Sequence, residues 1–197
     1  MASSAGFWTS AMDREPKRQY RFLVRIGSMP DGATWYAKKA TKPAIEITVT
    51  EHQFLNHTFK YPGRAKWNTV DITLVDPVSP DASINLSRVI YEAGYAPPAN
   101  VNDTTTISKV SAVAALQGVV IEQIDSAGNA VETWTLNNPF ITNVKYGDLD
   151  YSGDDMTEVT ITFAYDWASI EVGPGQESGQ GPTSRGAPSR KYWTESV

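Results

Sequence analysis

The sequence predicts a mainly β protein, an antiparallel sandwich or barrel-like subunit with one flanking α-helix. Three observations carry that prediction. Apolar–polar alternation with a period of two recurs along the chain, most clearly at 20–26, 45–50, 67–76 and 157–167. Clusters of Gly, Pro, Asn and Asp punctuate these runs. A clear helical period follows Asp81.

Taken in order, residues 1–17 carry no sustained period and end in the charged run around Asp13–Lys17, so they form an arm with Phe7 and Trp8 as its large anchors. Tyr20–Ile26 is the first strand, with Tyr20, Phe22, Val24 and Ile26 inward and Arg21 and Arg25 outward. Met29-Pro30-Asp31-Gly32 turns the chain, and a second strand begins over Thr34–Ala37. Ile45–Thr50 alternates, Phe54–Tyr61 continues as another strand, and Pro62-Gly63 ends it. The strand from Trp67 to Asp76 has two legible faces, Val70, Ile72 and Leu74 against Thr69, Asp71 and Thr73.

Asp81 opens the helix. Leu86, Val89, Ile90 and Ala93 fall at i, i+3, i+4 and i+7, and Gly94 is the stop. Tyr95–Thr106 is a loop, and Ile107–Ala115 is left open between helix and strand. Leu116–Asp125 and Ala130–Leu136 flank the turn Ser126-Ala127-Gly128-Asn129 as a hairpin. A strand over Phe140–Tyr146 follows. From Thr157 to Trp167 the alternation is unbroken, with Val159, Ile161, Phe163, Tyr165 and Trp167 opposite Glu158, Thr160, Thr162, Ala164 and Asp166. The body of the domain therefore covers 18–170. Residues 171–197 form a tail whose Gly, Pro and Ser content is too poor in apolar groups to pack, with Tyr192-Trp193 near its end.

Composition narrows the function. A chain of 197 residues fits one domain at about 100 to 200 residues per domain. The charge balance, 17 Lys plus Arg against 22 Asp plus Glu, argues against a protein that grips nucleic acid by neutralising phosphates. With no cysteine there is no disulfide framework, thiolate nucleophile or Cys-based zinc site. The N-terminus lacks a signal-peptide pattern and no apolar run has membrane-spanning length, so cytoplasmic synthesis and no membrane partner are expected.

No catalytic, cofactor or metal residues emerge. Asp148–Asp154 imitates the opening of an EF-hand loop, but position 12 is Val159 and a strand follows where a helix is required, so it is a polar hairpin loop. His52 and His57 are too few for a zinc site and, within one strand, would point to opposite faces. Nucleophile-elbow and phosphate-loop spacings are absent. Scattered glutamates are what any acidic β protein offers, and Trp67, Trp134 and Trp167 sit on core registers rather than on a sugar platform. The chain is expected not to be an enzyme.

The Thr-rich second faces fit either a solvated sandwich or the wall of something wide built from several copies. Tyr20–Ile26, Lys38-Lys-Ala-Thr-Lys-Pro43, Tyr61-Pro-Gly-Arg-Ala-Lys-Trp through Asp76, and Leu149-Asp-Tyr-Ser through Trp167, in this order over about 18–169, resemble the tail tube proteins of contractile-tailed bacteriophages, the group that includes the tube protein of T4-like phages. The resemblance implies hexameric rings stacked into the inner tube of a contractile tail. A sheath surrounds such a tube, and baseplate and tail terminator proteins bound it. Tape-measure protein and DNA pass through its channel without sequence-specific binding, in a virion tail assembled in the host bacterial cytoplasm.

On that reading Thr69, Asp71, Thr73, Glu158, Thr160 and Thr162 are candidates for the channel wall, a smooth surface whose carboxylates repel DNA. Tyr61, Arg64 and Lys66 in a loop over 60–66, with Arg88 and Tyr91 on the helix, are candidates for subunit contacts. Tube proteins of type VI secretion systems and of bacteriocin-like contractile particles, and baseplate proteins that start a tube, fit the same pattern. From a different class, a monomeric carbohydrate-binding β-sandwich requires the aromatic residues to lie exposed on one face.

Overall fold

The computed structural model describes residues 16–30, 34, 36–100, 104–173 and 190–192. Phe7, Trp8 and Trp193, like most of the expected Gly/Pro/Ser tail, lie outside the described residues. The element order is β1 (Phe22–Ile26), β2 (Ala37–Ala40), β3 (Ile45–Phe54), β4 (His57–Trp67), β5 (Val70–Val75), α1 (Ala82–Glu92), α2 (Lys109–Leu116), β6 (Val119–Ile124), β7 (Ala130–Asn137), β8 (Phe140–Lys145), β9 (Glu158–Ala164), β10 (Trp167–Val172) and β11 (Arg190–Tyr192). The strands form a five-stranded sheet in the order β1-β6-β7-β10-β11, a four-stranded sheet β2-β5-β9-β8, and a separate ribbon β3-β4. All pairings are antiparallel.

The two larger sheets share one core. Val24, Ile26, Val119, Ile121, Leu136 and Ala168 come from the first sheet. Val70, Ile72, Leu74, Val159, Ile161 and Phe163 come from the second, each with no exposed surface. The alternation at β5 and β9 thus sorts side chains as the period of two requires: inner residues pack, and Asp71, Thr73, Thr160 and Thr162 stand on the far side. Leu86 and Val89 of α1, and Ala112, Ala115 and Leu116 of α2, join the same core.

Both helix starts are set by side-chain oxygens. Asp81 Oδ1 accepts from the Ile84 amide at 2.8 Å, and Asp76 accepts from the Ala82 amide at 3.0 Å and the Ser83 hydroxyl at 2.6 Å. Two carboxylates therefore meet the positive end of α1. Ser108 caps α2 through the Ser111 amide at 3.1 Å, which resolves the segment left open in the sequence as a helix. Gly94 ends α1 at φ +106°, and a Cβ there would stand 2.8 Å from the Thr106 carbonyl oxygen. Gly94→Ala is accordingly expected to cost about 2 kcal/mol and lower Tm by about 4–8 °C; an unchanged thermal melt would show that the turn relaxes freely.

Several boundaries differ from the sequence reading. Tyr20 precedes β1 in a turn and is 74% exposed, so the first strand is shorter than its alternation. The second strand lies later, over Ala37–Ala40, with Lys38 at a register shift opposite β5. Trp67 ends β4 rather than starting β5, leaving Asn68 and Thr69 between strands. The run to Trp167 breaks at Tyr165–Asp166, after which β10 joins the other sheet beside β7. The Asp166 carboxylate accepts from Lys109 at 2.7 Å and Asn138 at 2.9 Å, and its amide donates to the Asn137 carbonyl at 3.1 Å. These bonds turn the corner. The inward phase changes at this corner: odd-numbered residues through Tyr165 pack in the core, whereas beyond it Ala168 does so beside Leu136, and Trp167, expected inward with Tyr165, lies opposite Asn137 on the other side of β10. Past the expected body, β10 runs on to Val172, and residues 190–192 add β11 to its edge.

Candidate assembly interface

The outer face of the four-stranded sheet gathers most of the expected wall residues. Register places Lys39, Thr73, Thr160 and Lys145 in one row across β2, β5, β9 and β8. Asp71, Thr162 and Asn143 form the next row, and Glu158 lies opposite Val75. The Thr162 hydroxyl donates to Asp71 Oδ1 at 2.7 Å, and the Thr73 and Thr160 hydroxyls lie 3.3 Å apart. Glu158 accepts from the Lys38 ammonium, and this hydrogen bond together with the Glu158 charge raises the Lys38 pKa. Thr69, in the link before β5, is outside these rows.

This face is polar but mixed in charge. Lys38, Lys39 and Lys145 share it with Asp71 and Glu158, so the purely repellent carboxylate surface expected from sequence is not what it presents. A second strand begun over Thr34–Ala37 gives Lys38 and Lys39 no place on this face, and the strand over Phe140–Tyr146 carries no assigned faces in the sequence reading, whereas β2 and β8 bring all three lysines to the sheet. The outer face of the other sheet carries a similar set, including Arg25, Glu122, Thr133 and Thr135, with Arg25 donating to Glu122 at 3.1 Å.

The ribbon β3-β4 is the most exposed apolar element. Leu55 and Asn56 make its tip, Leu55 at φ +53°. Along its near half, Ile45, Ile47 and Val49 lie opposite Trp67, Ala65 and Pro62 on one face. Along its far half, Tyr61, Phe59 and Phe54 with His52 and His57 occupy the other. The two histidines thus share a face, because a turn lies between them; His57 packs edge-on against Phe59 at 4.7 Å. Ile47, Val49, Phe54 and Tyr61 are each more than half exposed.

Pro62-Gly63 does not end the strand. It forms a bulge, since two residues, Gly63 and Arg64, stand between Pro62 and Ala65 where Thr48 alone stands between Val49 and Ile47 opposite. The Thr48 hydroxyl replaces the missing ladder partner, accepting from the Arg64 amide at 2.9 Å and donating to the Arg64 carbonyl at 3.3 Å. A Cβ at Gly63 would fall 2.4 Å from that hydroxyl, so glycine is what the close approach admits. Tyr61, Arg64 and Lys66 therefore sit on a strand of the ribbon rather than in a loop. Arg88 and Tyr91 stand on the exposed side of α1 with Ile84, Arg88 bonded to Glu92 at 2.8 Å.

A buried carboxylate that sequence reasoning passed over fixes the root of the ribbon. Glu132 continues the core-facing row of β7 beyond Leu136 and Trp134, and is 7% exposed. It accepts from Lys17, from Lys42 at 2.8 Å and from the Trp134 indole. Burial pushes its carboxyl up, but these hydrogen bonds outweigh burial and hold it down at about 2. Lys42 also donates to Gln123 Oε1 at 2.6 Å, and Gln123 donates to the Arg18 carbonyl at 3.2 Å. The available signal was a charged residue at an inward position of an otherwise apolar alternation.

No protein-family model and no curated protein matches this sequence. Solved structures do. A chain of the cryo-EM structure of an extracellular contractile injection system, the PVC sheath–tube complex in its extended state, matches with a TM-score of 0.58 at 19% identity, covering 83% of this chain and 97% of that one. A chain of the anti-feeding prophage baseplate matches at 0.58 and 15% identity, covering 80% and 96%. A chain of the anti-feeding prophage tube-terminating cap matches at 0.58 and 18%, covering 81% and 93%. The fold is therefore one found in contractile injection particles.

Proposed function

We propose that the protein is a non-enzymatic structural subunit whose copies close into hexameric rings and stack as the inner tube of a contractile phage tail, forming the channel for genome delivery. The observation that carries this reading is the ribbon β3-β4: an apolar two-stranded element, exposed along its whole length, is stable only when something covers it. That the same fold occurs in the contractile particles named above supports neighbouring copies as that cover. The four-stranded sheet supports ring closure, because its terminal strands β2 and β8 run in opposite directions and so can pair antiparallel between copies. Its polar face then becomes a continuous channel wall past which tape-measure protein and DNA slide. The partners on this reading are a sheath outside the tube, a baseplate and a terminator at its ends, all within a virion tail assembled in the host bacterial cytoplasm.

Negative-stain microscopy of the purified protein tests the assembly: rings or hollow tubes are expected, and a monomer at high concentration would overturn it. Asp71→Lys combined with Glu158→Lys tests the wall. The double variant is expected to fold and to impair particle assembly or DNA delivery, and unchanged infectivity would remove both residues from the channel.

A further inference from the structure

We propose that the cleft along the edge of β2 is the docking site for the β8–β9 loop of a second copy of this chain, a head-to-tail contact that locks each subunit to the next around the ring. The inference rests on the ring reading above and deepens it by naming the two surfaces that meet.

The cleft has a volume of about 880 Å³ and carries Lys17, Lys38, Lys39 and Lys42 on its walls, with Phe22, Ile121 and Trp134 among its apolar lining. Its charges are only partly answered within the chain. Lys17 and Lys42 share the single carboxylate of Glu132, Lys38 is paired with Glu158, and Glu122 on the wall is paired with Arg25. Lys39 has no ion-pair partner among the described residues. An excess of positive charge therefore surrounds an apolar floor.

The loop between β8 and β9 has the complementary character. It carries Asp148, Asp150, Asp154 and Asp155 and no lysine or arginine. No salt bridge reaches these carboxylates among the described residues; Asp150 instead holds its own turn by accepting from the Ser152 amide and hydroxyl at 3.0 and 2.9 Å. Leu149 and Tyr151 are almost fully exposed and Met156 is 69% exposed. Carboxylates interleaved with large apolar groups are the pattern that a lysine-walled, apolar-floored cleft accepts.

Topology brings the two surfaces to the same level. Lys145 at the end of β8 lies opposite Thr160, Glu158 lies opposite Val75, and Leu74 lies opposite Ala37 at the start of β2. When β8 of one copy pairs with β2 of the next, the loop leaving β8 emerges beside that neighbour's Lys38 and Lys39. The irregularity at Lys38 and the lysines of β2 discourage indiscriminate edge pairing until a partner neutralises them. Loop docking and edge pairing then favour each other.

The absence of cysteine gives a direct test, because introduced thiols find only each other. Lys39→Cys and Tyr151→Cys are prepared as separate full-length proteins, mixed under assembling conditions and oxidised. A heterodimer is the expected main crosslinked species on a non-reducing gel, with its yield reduced when assembly is carried out in about 1 M salt. In the double variant a ladder is expected. Asp155 already acts electrostatically on Lys38 of its own chain, so an internally crosslinked monomer without a ladder would mean that each loop closes its own cleft, and would overturn the proposal. Rings by microscopy without the heterodimer would also overturn it while leaving ring assembly standing. A heterodimer without rings would support the contact and refute the ring.

Discussion

Replacing Ile47 and Phe59 by aspartate is expected to abolish tubes while leaving the subunit folded. The two residues lie on opposite faces of the ribbon β3-β4, one on the near apolar face and one on the far aromatic face, so together they disable both. Ile47 is 54% and Phe59 45% exposed, and neither belongs to the buried core or to the hydrophobic groups packed against it. The isolated subunit therefore loses little: Tm is expected to move by no more than about 2 °C. In an assembly each side chain buries its remaining surface, contributing up to about 1.5–3 kcal/mol per contact, and an aspartate in its place adds the cost of an unpaired charge. Two such losses at every subunit raise the concentration needed for assembly by about 100-fold or more. Sedimentation and negative-stain microscopy measure the assembly, and circular dichroism measures the fold. Wild-type tubes from the double variant would show that the ribbon lies outside the contacts that build them.

The sequence made most of the sandwich legible because half-buried strands announce themselves by period. Val70, Ile72 and Leu74 of β5, and Val159, Ile161 and Phe163 of β9, point inward as their spacing requires. Alternation records only which residues share a side, not what covers that side. Ile45, Ile47 and Val49 alternate as cleanly as β5, yet no described part of the chain buries them. For the same reason Tyr165–Asp166 concealed a change of sheet. Pro62-Gly63 resembled a stop because a proline without an amide commonly ends a ladder; the Thr48 hydroxyl opposite, which carries the strand through as a bulge, is a contact across two strands that no local pattern encodes. Of the candidate residues, register joined Asp71, Thr73, Glu158, Thr160 and Thr162 on one face and left Thr69 outside it. The lysines that change that face's electrostatics come from β2 and β8, neighbours in space and distant in sequence.

Glu132→Ala is expected to destabilise the subunit by about 2 kcal/mol, lowering Tm by about 4–8 °C. The substitution leaves the Trp134 indole N–H without its acceptor and the Lys17 and Lys42 ammoniums without their carboxylate. Both lysines are roughly half exposed and regain water, which keeps the cost below that of stranding fully buried charges. The effect has a defined pH range. The carboxyl sits at about 2 in the folded protein against an ordinary value of 4.5, so the unfolded chain takes up the proton first as pH falls. Its stabilisation is complete above about pH 4.5 and disappears as pH falls towards 2. Wild type is therefore expected to lose stability faster than Glu132→Ala over that interval, the two melting curves converging at the acid end, and parallel curves would place the stabilisation in other groups. Lys42 stands three residues before the start of β3, so the same substitution loosens the base from which the ribbon projects. At neutral pH, faster amide exchange is expected across residues 41–45 while β5 and β9 remain protected, because those strands draw their stability from the apolar core and not from this carboxylate.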